Sequence, residues 1–162
     1  MNPTPEKTSV MAPFILMLFL YFIVGLFTVI NQQFQVPLKS ALLPHDGNMT
    51  NALVTLLNFS WFLAYPFSEG FATRWVDRLG YRKTSVYSLL IFIAGLGFYE
   101  AAVLLHIYAP SYITIMGNPI FTGFFIFLSG SFVIGMAVTI LQVVTGLYLD
   151  CLLYTSDAAD EL

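Results

Sequence analysis

The sequence is poor in charged residues. Asp, Glu, Lys and Arg make up only 9% of the 162 residues, whereas soluble globular domains carry about 25%. Hydrophobic residues make up 58% of the chain, and the mean hydropathy is +0.81. So few charges could not cover the surface of a soluble domain of this size. We therefore expect an integral membrane protein, to be interpreted by the rules of the bilayer.

The residue types of most catalytic and metal sites are also scarce. The chain has one cysteine and two histidines. His45 and His106 stand alone, without a Ser/His/Asp set or a metal-ligand spacing. We therefore expect a protein that is not an enzyme, with no metal, no cofactor and no nucleic-acid partner. The apolar segments also contain no Lys or Arg, which argues against an anionic substrate within the membrane.

Four apolar segments are each long enough to cross a bilayer, for which a helix needs about 20 residues. They cover 12–36, 52–73, 85–108 and 122–149. The first is too long for the core of a signal peptide, so we expect it to remain, with Pro37 at its end. The predicted fold is an all-α membrane protein with four transmembrane helices. The charge-free stretch 109–121 is expected to be a loop.

The bases indicate the orientation of the helices. Only Lys39 follows the first segment on its far side. The other five bases share the opposite side, and they are Lys7, Arg74, Arg78, Arg82 and Lys83. Because positive charge is enriched in cytoplasmic loops, we expect a cytoplasmic N-terminus.

The last twelve residues differ from the rest of the chain. Residues 151–162 hold the only cysteine and three of the nine acids, but no base. The run Cys151–Glu161 resembles the translation of a transposon-adaptor read-through. We therefore expect 151–162 to be a non-native tail, and 1–150 to be part of the N-terminal half of a longer protein. The alternative is a disordered acidic C-terminus.

Polar residues form narrow stripes on three of the predicted helices. Each stripe spans about 80° or less when residues are placed at about 100° intervals. The first contains Gly25, Thr28, Gln32 and Gln35, bordered by Asn31. The second contains Asn58, Tyr65 and Glu69, with Trp61 beside it. The last contains Ser131, Gly135, Thr139 and Gln142.

The stripes predict both packing and binding. We expect the small residues to let helices approach closely, among them Gly25, Gly95, Gly97, Ser131 and Gly135. The large amides of Gln32 and Gln142 pack poorly and offer both donors and acceptors, so we expect them to line a cavity. This chemistry suits a neutral hydroxylated solute such as a sugar. The candidate substrate-binding residues are Asn31, Gln32, Gln35, Asn58, Trp61, Tyr65 and Gln142.

Two acids lie within the apolar segments. A carboxylate in a membrane is a candidate for proton or cation binding, because its burial is costly without a function. Glu100 lies deeper in its segment than Glu69, which could instead pair with Arg74. Both are candidate proton or cation sites.

The loop between the second and third segments carries a recognisable pattern. It contains Asp77, Arg78, Gly80, Arg82 and Lys83 in the order D-R-x-G-x-R-K. This run resembles the cytoplasmic loop signature of the major facilitator superfamily. Glycine permits a tight reversal between antiparallel helices, and the aspartate can pair with nearby guanidinium groups. The resemblance implies that this loop helps to latch one side of a transporter. Thr73 departs from the pattern, which usually has glycine there.

The first helix narrows the resemblance. Its Gly25-x-x-Thr28-x-x-Asn31 run, followed by Pro37 and Lys39, is similar to the fucose–galactose–glucose proton symporter branch. Members have twelve helices in two halves, each half made of inverted three-helix repeats. The resemblance implies a bacterial inner-membrane location. The relatives carry acids at the positions of Gln32 and Gln142, so proton coupling at these two positions is not supported.

We therefore expect the N-terminal fragment of a secondary active monosaccharide transporter. It would work by alternating access within the lipid bilayer, with a proton or another cation as a possible partner. One alternative is the same architecture without coupling, which would be a sugar facilitator. The other is a four-helix membrane scaffold or assembly protein.

Overall fold

A computed structural model describes residues 11–43, 48–115 and 117–160. Its elements in chain order are α1 (Met11–Gln33), α2 (Gln35–Leu42), α3 (Asn48–Tyr108), β1 (Tyr112–Ile115), β2 (Asn118–Phe121) and α4 (Thr122–Asp160). Within these ranges, three helical stretches are long and apolar enough to cross a membrane. They are Met11–Ser40, Met49–Tyr108 and Thr122–Tyr154. The protein is thus a helical, multi-pass membrane protein, as the composition predicts.

Helix α3 joins the second and third predicted segments, which the sequence places in separate helices. It has 61 residues, and Gly80 alone has non-helical torsions within it, with φ 79° and ψ 166°. A positive φ of this size favours glycine, which has no Cβ. The rings of Trp75 and Tyr87 are 6.0 Å apart across this point, so the chain folds back on itself. We call 48–79 the first arm and 81–108 the second arm.

The break after α1 lies earlier than predicted. The sequence places the end of the helix at Pro37, but α1 ends at Gln33 and Phe34 separates it from α2. The amide of Leu38 donates to the carbonyl of Phe34 at 3.1 Å. Pro37 has no N–H to give to the carbonyl of Gln33 and lies in the first turn of α2, where that donor is not needed. Phe34 itself keeps helical torsions (φ −68°, ψ −11°), so the proline removes one backbone bond and does not end the helical stretch.

The stretch 109–121 is not only a loop. It contains an antiparallel hairpin in which Tyr112 pairs with Phe121 and Ile115 pairs with Asn118. Gly117 in the turn has φ 82°, the left-handed region. Phe121 is buried and its ring lies 4.9 Å from that of His106. The hairpin therefore packs over one end of the helices.

Buried residues form three clusters at successive depths. The hairpin-end cluster contains Leu43, Leu57, Ile120 and Phe124. The middle cluster contains Val24, Trp61, Ile134 and Val138. The Gly80-end cluster contains Ala72, Val76, Ile140 and Val144. Helix α4 takes part in all three and contacts both arms of α3, so it is the central element of the core.

Glycines bring α4 close to both arms. A Cβ added at Gly135 would lie 2.7 Å from the carbonyl oxygen of Trp61 and 2.9 Å from the Cβ of Ala64. A Cβ on Gly95 would overlap the side chain of Ile134. The packing prediction is confirmed for these two glycines. It is wrong for Gly25 and Gly97, which border open space in the described part of the chain.

Helix α4 extends beyond its predicted end at residue 149 and reaches Asp160. Residues 150–160 contain neither glycine nor proline, so nothing in the local sequence interrupts the helix. The hydroxyl of Tyr81 lies 3.4 Å from the thiol of Cys151. The described tail is therefore helical, in contrast to the disordered alternative. Lys7, which supports the predicted orientation, lies outside the described residues.

Replacing Gly135 with alanine should destabilise the bundle. The new methyl group would press on the backbone at Trp61, and overpacking of this kind costs about 1–3 kcal/mol. Gly97→Ala is the matched control, because its methyl group enters open space and alanine is the better helix former by about 0.5–1 kcal/mol. Unfolding in detergent, followed by circular dichroism, measures both effects. Equal stability of the two variants would contradict the close approach.

Candidate functional site

Trp61 lies where the three long helices meet. Only 2% of its surface is exposed, and it packs with Val24 of α1 and with Ile134 and Val138 of α4. Tyr65, one turn further along the first arm, packs partly buried against the same cluster. The structure thus brings together two of the predicted binding residues in the middle of the bundle.

Within the described ranges, two buried polar atoms beside this cluster have no hydrogen-bond partner. They are the amide oxygen Oδ1 of Asn58 and the indole nitrogen Nε1 of Trp61. The residues are three positions apart on one helix, so their Cβ atoms are neighbours at about 5–6 Å. Leaving a buried polar atom unpaired costs about 1–3 kcal/mol. One of these atoms accepts and the other donates, and a hydroxyl group can serve both.

Other hydroxyl groups in the bundle are satisfied by the protein itself. The hydroxyl of Ser60 donates to the carbonyl of Leu128 at 3.0 Å, and the hydroxyls of Tyr99 and Ser131 are 2.9 Å apart. Thr139 donates to the carbonyl of Gly135 at 2.8 Å. The first two bonds join α4 to the first and second arms, and the third lies within α4. Asn58 and Trp61 differ from them, because each has a buried polar atom without a hydrogen-bond partner in the described structure.

The two glutamines lie on opposite sides of Trp61. The end of α2 and the start of α4 share the hairpin-end cluster, so α1 and α4 run antiparallel. Gln32 is eight residues beyond Val24, and Gln142 is four residues beyond Val138. At 1.5 Å per residue their depths differ by about 18 Å. Gln32 is exposed and Gln142 is half-buried, so they do not form one binding surface.

The predicted stripes differ in how they face the bundle. On α4, Ser131, Gly135 and Thr139 are buried, and they lie on the side that packs against α3. On α1, Asn31 is half-buried beside the exposed Gln32. The side chain of Gln35 lies outside the described part of the structure. The stripe on α4 is therefore a packing face, whereas the one on α1 is largely open.

Neither candidate proton site joins the middle cluster. Glu69 and Glu100 are both exposed. Within the described residues, neither carboxylate makes a salt bridge, including the pairing of Glu69 with Arg74 that the sequence allows. Exposed Leu96, Val103 and Leu104 surround Glu100 on the second arm. Their role in coupling stays a prediction.

The loop at Gly80 makes the predicted reversal but not the predicted ion pairs. Asp77, Arg78, Arg82 and Lys83 are all exposed, while the adjacent Val76 is buried. No salt bridge joins Asp77 to a base within the ranges that the structure describes. These charges are therefore available to groups outside this part of the chain.

Sequence reasoning missed Tyr99 and Ser60. The ring of Tyr99 is stacked on that of Phe127, with centroids 3.9 Å apart, and its hydroxyl bonds to Ser131. A tyrosine inside an apolar segment needs a partner for its hydroxyl, and this requirement could have pointed to Tyr99. The adjacent charge of Glu100 draws attention away from it in the sequence. In the described ranges, no three metal-binding side chains lie together.

Comparison with known proteins identifies no relative: no family model, no curated protein and no solved structure matches the chain.

The bond between Tyr99 and Ser131 should contribute to stability as a pair. Tyr99→Phe and Ser131→Ala should each destabilise the protein, and the double variant should lose less than the sum. We expect a coupling free energy of about 0.5–1.5 kcal/mol from a double-mutant cycle measured in detergent. Tyr65→Phe is the matched control, because no hydrogen bond to the Tyr65 hydroxyl is present in the described structure. Additive effects of Tyr99→Phe and Ser131→Ala would contradict the interaction.

Proposed function

We propose that this chain is the N-terminal part of a secondary transporter that takes up monosaccharides. The unpaired donor and acceptor at Trp61 and Asn58 carry the proposal, because both are buried where the helices meet. A sugar hydroxyl can accept a hydrogen bond from the indole and donate one to the amide. The partly buried ring of Tyr65 offers apolar surface for the C–H groups of a pyranose.

The proposed architecture has four crossings in this part of the protein. At 1.5 Å per residue, the arms 48–79 and 81–108 extend about 48 and 42 Å, more than the roughly 30 Å of a hydrocarbon core. Each arm would then cross once, with Gly80 and the bases on the cytoplasmic side. This arrangement agrees with the resemblance of the loop to the major facilitator superfamily, in which twelve helices surround one central path.

The glutamines fit a path more readily than a single site. Gln32 lies on the hairpin side of Trp61, and Gln142 lies on the Gly80 side. We propose that each amide meets the solute on its way to or from the centre. Alternating access requires such polar groups on both sides, because a solute released from the central site must be solvated as it leaves.

Coupling to a proton or cation is the second part of the proposal. Glu100 and Glu69 are the acids available for it in these segments. Since both are exposed on the described bundle, they would act together with groups from the rest of the transporter. Without such coupling the same architecture would be a facilitator, which equilibrates the sugar and does not accumulate it.

Asn58→Leu should remove most of the uptake of radiolabelled monosaccharides by cells that express the complete reading frame. Leucine keeps the approximate size of the side chain but has no hydrogen-bonding group, so we expect uptake to fall about tenfold at low sugar concentration. Asn51→Leu is the matched control, since Asn51 is exposed near the start of the same arm. Normal uptake by Asn58→Leu, at equal abundance in the membrane, would overturn the proposal.

Glu100→Gln should abolish accumulation of the sugar against its gradient while leaving exchange of labelled for unlabelled sugar intact. The amide keeps the shape of the side chain but cannot carry a proton. Glu69→Gln tests the other acid in the same way. Accumulation and exchange are measured in proteoliposomes with an imposed pH gradient. If both variants accumulate sugar as the parent does, coupling does not use these acids.

A further inference from the structure

A shallow cavity opens beside the reversal at Gly80. Its volume is about 340 Å³, and it is lined by Arg82, Lys83, Val86 and Tyr87. Arg82 and Val86 are four residues apart, and so are Lys83 and Tyr87. The four residues therefore lie on one side of the second arm. The two bases lie next to the reversal, and the two less polar residues lie one turn further into the membrane-spanning arm. Most of the exposed lining is apolar, and the two bases border it at the end next to the reversal.

The bases of this cavity are not neutralised within the part of the chain that the structure describes. Arg82 and Lys83 are exposed, and neither makes a salt bridge there. The stretch 74–83 contains four bases and a single acid, Asp77. The cavity thus has an excess of positive charge, which attracts an anionic group.

The apolar side of the cavity suits the boundary between headgroups and acyl chains. Val86 is 50% exposed and Tyr87 is 43% exposed. The ring of Tyr87 packs edge-on against Trp75 of the first arm, with centroids 6.0 Å apart. Tyrosine and tryptophan are enriched at the level of lipid headgroups, where a polar tip and an apolar ring are both accommodated. This pair therefore holds an interfacial surface next to the two bases.

We propose that Arg82, Lys83, Val86 and Tyr87 form a binding site for an anionic phospholipid. The phosphate group would lie against the two bases, and the glycerol and upper acyl chain would lie against Val86 and Tyr87. A free phosphate ion would use the bases alone and leave the larger, apolar part of the cavity in water. The lipid is the occupant that matches both the apolar lining and the bases at its border. This site is separate from the proposed sugar path and does not depend on transport.

The two tryptophans allow a direct test. Trp61→Phe leaves Trp75 as the sole tryptophan, in contact with Tyr87 of the cavity. The purified chain is placed in phosphatidylcholine nanodiscs containing a minor fraction of brominated phosphatidylglycerol or brominated phosphatidylcholine. We expect the brominated anionic lipid to quench Trp75 more strongly than the same fraction of the zwitterionic one. In Trp75→Phe the buried Trp61 should show no such preference.

Charge variants separate this site from a diffuse surface charge. Arg82→Gln with Lys83→Gln should lower the preference for the anionic lipid about fivefold per base. Arg74→Gln with Arg78→Gln removes the same charge from the same loop outside the cavity and should retain most of the preference. Equal quenching by the two lipids, or an equal loss in both double variants, would overturn the proposal. Displacement of the lipid by millimolar inorganic phosphate would also overturn it, since the occupant would then be a free ion.

Discussion

The close approach of α4 to both arms of α3 is the constraint on which the other contacts depend. At Gly135 and Gly95 the neighbouring helix occupies the space that a side chain would need. Because the backbones meet there, the hydroxyls of Ser60 and Ser131 come within reach of Leu128 and Tyr99. Little hydrophobic driving force acts between helices in lipid, so small residues and hydrogen bonds hold such a bundle together.

The same closeness explains why Trp61 remains unsatisfied. Its carbonyl faces Gly135, and its ring is enclosed by Val24, Ile134 and Val138, which provide no acceptor for the indole N–H. A large residue with a polar tip is thereby held in an apolar setting, at the cost of an unpaired donor. Unpaired buried groups are rare in native proteins, so this one calls for an explanation, and the proposed ligand supplies one. Packing and proposed binding thus share one contact surface, between the first arm and α4.

The sequence predicts the membrane character, the approximate spans and the reversal at Gly80, because hydropathy and a glycine in a basic loop are local signals. It does not predict the break at Phe34 or the hairpin at 112–121. Both stretches carry local signals that are weak alone: Pro37 removes one backbone donor, and the aromatic and β-branched residues 112–115 before Gly117 favour a hairpin. The polar stripe on α4 can be recognised from its helical spacing in the sequence. Whether Gln32 faces another helix depends on the orientation of α1 in the bundle. That orientation follows from contacts between distant residues, which a single sequence does not reveal.

The reversal at Gly80 has a consequence for the changes in length that the chain can tolerate there. Helix continues on both sides of a single non-helical residue, so the connection has no slack. Inserting or deleting one residue near 80 would turn the second arm by about 100° about its axis. Gly95 and Tyr99 would then turn away from α4, and after a deletion exposed Leu96 and Glu100 would take their place. The length of this connection therefore decides which side of the second arm faces α4. Substitutions near residue 80 should be tolerated better than insertions or deletions.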